Sequence, residues 1–250
     1  MAKLSEIVGY LDEELLVGKI PDYQGAHNGL QLENGGEVQK IAVAVDASLN
    51  IIEQAVASEA DLLVVHHGLF WQGVRMLTGG QYRKLKAAFD GGLAIYSSHI
   101  PLDVHPSLGN NAVLAEKLGM KVSGKFLEWK GLELGVSGLW PQSWEELIAK
   151  VEGEVGPLVS SIRAREQVGR LGIITGGAGS EVEAVRRSGI DTFLTGEGPH
   201  WSFPLAEEIG LSVIHAGHYA TEVFGVKKVG CFLKERFGVG FNFLAAPTGL

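Results

Sequence analysis

The chain predicts an α/β fold of two similar, interlinked halves, residues 1–126 and 127–250, related by an internal repeat. Three observations predict it. Ile41–Trp71 (IAVAVDASLNIIEQAVASEADLLVVHHGLFW) and Leu171–Trp201 (LGIITGGAGSEVEAVRRSGIDTFLTGEGPHW) match at an ungapped offset of 130 residues, pairing Asp61 with Asp191 and Trp71 with Trp201. Their Val- and Ile-rich runs are short and apolar throughout, as parallel strands covered on both faces require. The likeness then resumes, since Ile95–Asp103 (IYSSHIPLD) matches Ile214–Glu222 (IHAGHYATE). Each half thus closes on histidine, three residues, carboxylate.

Element by element, the first half reads helix Glu6–Val17, strand Ile41–Val45, helix Asn50–Ser58 and strand Leu62–His66. Helix Gln81–Phe89, strand Leu93–Ser97 and helix Asn110–Leu118 follow. Ser123–Lys130 is the candidate linker. The second half opens with strand Leu132–Leu139 and a helix after Pro141, for which Ser143 and Glu146 form a capping box. Ser180 and Glu183 offer the same box to the helix of the second repeat. Strands Leu171–Thr175, Thr192–Thr195 and Leu211–His215, helix Glu222–Phe237 and strand Gly240–Leu244 complete the chain.

Composition narrows the function. The 250 residues suffice for a full core, and the 35 glycines fall at turns between apolar runs with no collagen-like period. A formal charge of −8 without Lys/Arg clusters argues against extended nucleic-acid binding. The N-terminal MAKLSEIVGYLDEELL is too acidic for a signal peptide, and no apolar run is long enough to span a membrane. The lone Cys231 excludes an intrachain disulfide and a thiolate metal cage, which suits a cytoplasmic protein; it is read as a small buried residue.

Seven of the eight histidines lie near strand ends: His66, His67, His99, His105, His200, His215 and His218. In open parallel sheets, ligands bind beyond the carboxyl ends of the strands. His66 and His67 are adjacent in a strand and point to opposite faces, so one imidazole for each of two metals resolves the pair. The competing reading is one strand-end cap and one solvated ring. His218 and Glu222 share a helix face if the helix starts by Gly217. An imidazole with a carboxylate suits Zn²⁺, Fe²⁺ or Mn²⁺, and a carboxylate's two oxygens can bridge two ions; a helix-start Glu that complements the helix dipole is the bland alternative. Asp103 is the counterpart in the first half, with a turn-forming Asp as its plain reading. Together His66, His67, Asp103, His218 and Glu222 supply nitrogen and oxygen ligands for two divalent metal ions. His99 reads as a ligand-supporting residue or as the catalytic acid/base, because Pro101 argues against a helix there. His215 reads as structural, and His105 and His200 as candidate substrate contacts. ITGGAGS lacks the P-loop Lys and has Val182 at the third glycine position of a dinucleotide fingerprint, so a tight turn is its simplest reading. Trp71 and Trp201 read as packing residues.

VHHGLFW, IPLDVHPSLGNNAVLAEKLG, FLTGE, AGHYATEVFG and NGLQLE (Asn28–Glu33) resemble the Nif-three-like proteins, often labelled GTP cyclohydrolase I type 2 homologues. The resemblance runs the whole length. It implies two interlinked α/β domains with a dinuclear metal centre in the crevice, in toroidal homohexamers. By motif, His67 and Asp103 would bind one metal, His66 and His218 the other, and Glu222 would bridge. TGEGPHW departs from the commoner variants, which bears on His200. The reading is a metal-dependent hydrolase of a small polar, nucleotide-like compound, with His99 transferring protons; the alternative is a non-catalytic metal-handling protein that acts through partners.

Overall fold

The computed structural model describes residues 1–250, and the chain forms two compact units. The first comprises Met1–His105 and Gly225–Ala246, the second Pro106–Phe224 and Pro247–Leu250.

In the first unit, β1 (Ala2–Lys3) leads into α1 (Leu4–Glu14), then β2 (Gly29–Leu32) and β3 (Glu37–Val38). β4 (Lys40–Asp46), α2 (Leu49–Ala57), β5 (Leu62–His67), α3 (Gly79–Asp90), β6 (Ala94–Ser97) and the single turn α4 (Ile100–Asp103) follow. Ser48 caps α2 by accepting from the Ile51 amide. Every residue of β5 is buried, as is every one from Ile41 to Val45 of β4. Ala42, Ala44, Leu63, Val65 and Ile95 pack with Ile51, Ile52 and Ala55 of α2 to form one face's core. Burying such a face is the main drive for the unit, at roughly 25 cal/mol per Å².

The second unit holds α5 (Asn110–Leu118), β7 (Gly124–Trp129), β8 (Leu132–Trp140), α6 (Trp144–Val155), β9 (Ser160–Ile162), β10 (Gly169–Ile173) and α7 (Val182–Arg187). It continues with β11 (Thr192–Thr195), α8 (Ser202–Glu208), β12 (Ser212–His215) and the start of α9 (His218–Phe237). Its core centres on Phe126, Val185, Ile190, Phe193 and Val213. The remainder of α9 and β13 (Gly240–Phe243) belong to the first unit. There, the sheet order is β13-β4-β5-β6-β2, and in the second unit it is β7-β8-β10-β11-β12-β9.

The repeat is present in the topology and in the register. β4 pairs parallel with β5 at Ile41↔Leu62, and β10 with β11 at Leu171↔Thr192, the same positions displaced by 130. Both sheets add a third parallel strand and then an antiparallel edge, β2 beside β6 and β9 beside β12. Beyond this the match needs an adjustment of one residue. Val65 pairs with Ser97 and Thr195 with His215, so the ladder makes Ser97 the equivalent of His215. His218 therefore stands one residue further from its strand than His99 does.

Five other expectations are corrected. The units divide at His105/Pro106 and not at 126/127, because Asn111 of α5 is bonded to Leu134 O and the Thr175 amide, while β13 pairs in parallel with β4. Ser123–Lys130 is no linker: β7 forms an antiparallel hairpin with β8, turning at Lys130 and Gly131, both at positive φ. Pro101 does not prevent α4, since it lies in the first turn, where no helical partner awaits its missing N–H. The Ser143–Glu146 box forms, but Ser180 lies inside a 3-10 turn, Gly179–Glu181, and caps nothing. Cys231 is exposed, two residues from each of the buried Val229 and Leu233 and so on the other face of α9. No helix is long and apolar enough to cross a membrane.

Candidate metal centre

In the first unit, the buried strand β5 ends in His66 and His67, each at most 4% exposed. Regular pleating would send these rings to opposite faces, yet their centroids lie 4.7 Å apart at the strand's end. Each ring is fixed through Nδ1. His66 Nδ1 lies 2.9 Å from the Ser98 carbonyl oxygen, and His67 Nδ1 lies 2.9 Å from Asp46 Oδ1. Trp71 stacks on His67 with centroids 3.9 Å apart and planes 19° apart.

His99 stands before α4 with Nδ1 2.9 Å from Asp22 Oδ1. Asp22 Oδ2 accepts from Asn28 Nδ2 and the Ile100 amide, and Asn28 Oδ1 accepts from the His99 amide. Burial alone would push the Asp22 carboxyl up. Hydrogen bonding and charge from His99, with help from Asn28 and the Tyr23 amide, outweigh this and hold it below the usual range. The His99 ring lies 5.0 Å from that of His66 and 5.6 Å from that of His67. His66, His67 and His99 each offer a ligand atom within 4.8 Å of the others. Asp103, four residues on, brings Oδ2 to 3.5 Å from His66 Nε2.

In the second unit, α9 begins at His218, a turn earlier than its periodicity predicts, so His218 and Glu222 face one another at i, i+4. His218 Nε2 lies 3.2 Å from Glu222 Oε2, and Nδ1 lies 2.8 Å from Glu197 Oε1. Burial opposes charge on His218, but Glu222 and then Glu197 outweigh it and raise its pKa to about 9. Glu222 is only 2% exposed. The room for it comes from Gly176, where a Cβ would overlap Glu222 Oε1 and lie 3.4 Å from His218 Nε2. Thr221 Oγ1 accepts from the Gly176 amide at 3.0 Å and donates to Gly217 O, locking the loop to the helix start.

A carbonyl or carboxylate beside Nδ1 keeps the proton there and leaves the lone pair on Nε2. His66, His67 and His99 are held in this form, whereas His218, with a carboxylate at each ring nitrogen, must give up its Nε2 proton to take a metal. In each unit these imidazoles and carboxylates are nitrogen and oxygen donors of the kind suited to Zn²⁺, Fe²⁺ or Mn²⁺. The groups are placed to hold a metal ion.

Other sequence candidates lie elsewhere. His215 is buried in β12, with Nδ1 3.0 Å from Ser160 Oγ and its ring stacked on Phe203; burial lowers its pKa despite the charge of Glu197. His105 Nε2 lies 3.5 Å from Glu14, and His200 is exposed. Trp201, read as packing, is 52% exposed, so the repeated tryptophans have diverged. Sequence reasoning missed Asp22, Asp46 and Glu197. The repeat carried a signal for two of these: Asp46 stands where Gly176 does, and Glu197 where His67 does.

A model of the family described as Duf34/NIF3 (NGG1p interacting factor 3) matches residues 2–248. The chain is 40% identical to the GTP cyclohydrolase 1 type 2 homolog of Deinococcus radiodurans, over 98% of this chain and 94% of that one. It is also 40% identical to the protein of the same description from Pyrococcus abyssi, over 98% of each. Among solved structures it resembles TTHA1606 from Thermus thermophilus, with a TM-score of 0.88, 36% identity and 99% and 100% of the two chains covered. Reduced HcgD from Methanocaldococcus jannaschii gives a TM-score of 0.85 at 29% identity, covering 98% of each.

Proposed function

This chain belongs to the Duf34/NIF3 family, and on that premise we propose a dinuclear metal-dependent hydrolase acting on a small polar, nucleotide-like substrate. One observation carries the reading: His66, His67, His99 and His218 each have Nδ1 held by an acceptor. In all four that acceptor is a carbonyl or carboxylate oxygen, whereas the structural His215 meets only the Ser160 hydroxyl. By the family resemblance, His67 and Asp103 would hold one ion, His66 and His218 the other, and Glu222 would hold both. Bound divalent ions supply Lewis acidity toward the substrate and a water nucleophile near neutral pH.

The chain's own residues do the rest. His99 takes and returns a proton at Nε2, since Asp22 holds its Nδ1 and so fixes the ring's orientation. Trp71 covers one face of His67 and fixes its plane. The nucleotide-like substrate follows the description of the Deinococcus and Pyrococcus relatives. Cytoplasmic location and a toroidal homohexamer belong to the same proposal, the latter checked by sedimentation.

The test is a hydrolase screen over nucleotides and related compounds on protein loaded with Mn²⁺, Fe²⁺ or Zn²⁺, with Glu222→Ala as the blank. Turnover that depends on metal and is absent from the blank is the expected result. Tight metal binding with no turnover in any arm would instead support the non-catalytic, metal-handling reading.

A further inference from the structure

The two halves place their carboxylates and imidazoles at exchanged positions of the repeat. At the first position stand Asp46 and Gly176, and at the second His67 and Glu197. In the first unit, the Asp46 carboxylate holds His67 Nδ1 at 2.9 Å. In the second, the second position itself carries the carboxylate, and Glu197 holds His218 Nδ1 at 2.8 Å. The vacated first position is a glycine, and the space is taken by Glu222. We infer that Glu197 is a positioning residue for His218, fixing its tautomer and ring plane so that Nε2 and Glu222 are presented together to a divalent cation.

Three features separate this role from a surface ion pair. The His218 ring is pinned from both sides, by Glu197 at Nδ1 and Glu222 at Nε2, so its rotation is set before any ion binds. The Glu197 backbone is anchored independently of its side chain. Its amide donates to Gly176 O at 3.1 Å, and its carbonyl accepts from the Gly179 amide at 3.0 Å. The loops of β10 and β11 also approach too closely for any side chain: a Cβ on Gly196 would lie 2.6 Å from Gly176 O and 2.7 Å from His218 Cα. Losing the Glu197 carboxylate therefore leaves the loop in place. At 39% exposed, that carboxylate is partly screened, and its contribution lies in orientation more than in charge burial.

The inference rests on the reading of His218 as a metal ligand, and the experiment separates the two. Zn²⁺ and Mn²⁺ affinities are measured by competition with a chelator for wild type, His218→Ala, Glu197→Ala and Glu197→Gln. Co²⁺-loaded absorption spectra and melting of the metal-free proteins are recorded in parallel. Glu197→Ala is expected to weaken the His218-dependent ion about 10–100-fold and to alter the Co²⁺ spectrum. Glu197→Gln, which still accepts from Nδ1, recovers most of the affinity, and metal-free melting is unchanged for both. Wild-type affinity in Glu197→Ala, or a loss tracked by an equal fall in metal-free melting, overturns the positioning role. If His218→Ala itself binds metal like wild type, the ligand reading fails, and the inference falls with it.

Discussion

Gly176 combines two demands that no other residue meets. Its φ of +70° lies in the left-handed region, which costs an L-residue roughly 1–2 kcal/mol, and a Cβ there would overlap the Glu222 carboxylate. Gly176→Ala is therefore expected to keep its fold by circular dichroism while losing metal affinity at least as severely as a change in a supporting residue, about 10–100-fold. Unchanged metal binding in that variant would show that Glu222 has another position open to it. The candidate donors were legible at this scale, since His66, His67, Asp103, His218 and Glu222 stand out by chemistry and spacing. Asp22 was not, because it reaches His99 across 77 positions of chain from an irregular segment with no pattern of its own. Asp46 and Glu197 were hidden differently: a carboxylate beside a strand end reads as a turn or a helix cap until its partner is seen.

Among the elements, buried parallel strands were the easiest to read. Thr192–Thr195 and helix Asn110–Leu118 have the expected ends, since continuous apolar runs and a glycine after the helix leave little choice. Short edge strands were not legible: β2 and β9 are too brief and too polar for a period, and only pairing to β6 and β12 makes them strands. The start of α9 hides in a polar stretch, where His218 looks like loop until Gly217, at φ +91°, turns the chain into the helix. At α6 the local code is complete. Ser143 Oγ accepts from the Glu146 amide at 3.1 Å, and Glu146 accepts from the Ser143 amide at 2.9 Å. Ser143→Ala should lower unfolding stability by about 1 kcal/mol, measured by urea denaturation, with metal binding untouched. A loss well below half that size would mean that packing of Trp144 and Leu147 alone fixes the helix start.

For the whole molecule, the repeat conveys the architecture but not the division of the chain. Register at Ile41↔Leu62 and Leu171↔Thr192 keeps the 130-residue offset, because a one-residue slip would turn every buried side chain to the other face. That β13 returns to pair with β4 is a long-range choice, and nothing local in Gly240–Phe243 announces it. The offset also breaks by one residue after β6 and β12, where the sequence match follows the histidine and its carboxylate and not the strand before them. The halves thus share a common frame and differ in which positions carry the imidazoles and which carry the carboxylates that hold them.

The proposed dinuclear reading assigns Glu222 and Asp103 unequal roles despite their matched positions in the sequence. On that reading, a bridging Glu222 would link both ions, and its loss would leave two cations facing each other with less negative charge between them, whereas Asp103 would serve only one ion. Metal titration of wild type, Glu222→Ala and Asp103→Ala, reconstituted with excess Zn²⁺ or Mn²⁺, tests this directly. The account predicts about two equivalents in wild type, loss of both in Glu222→Ala and retention of about one in Asp103→Ala. Two equivalents at wild-type affinity in Glu222→Ala would contradict the bridge and the dinuclear mechanism built on it.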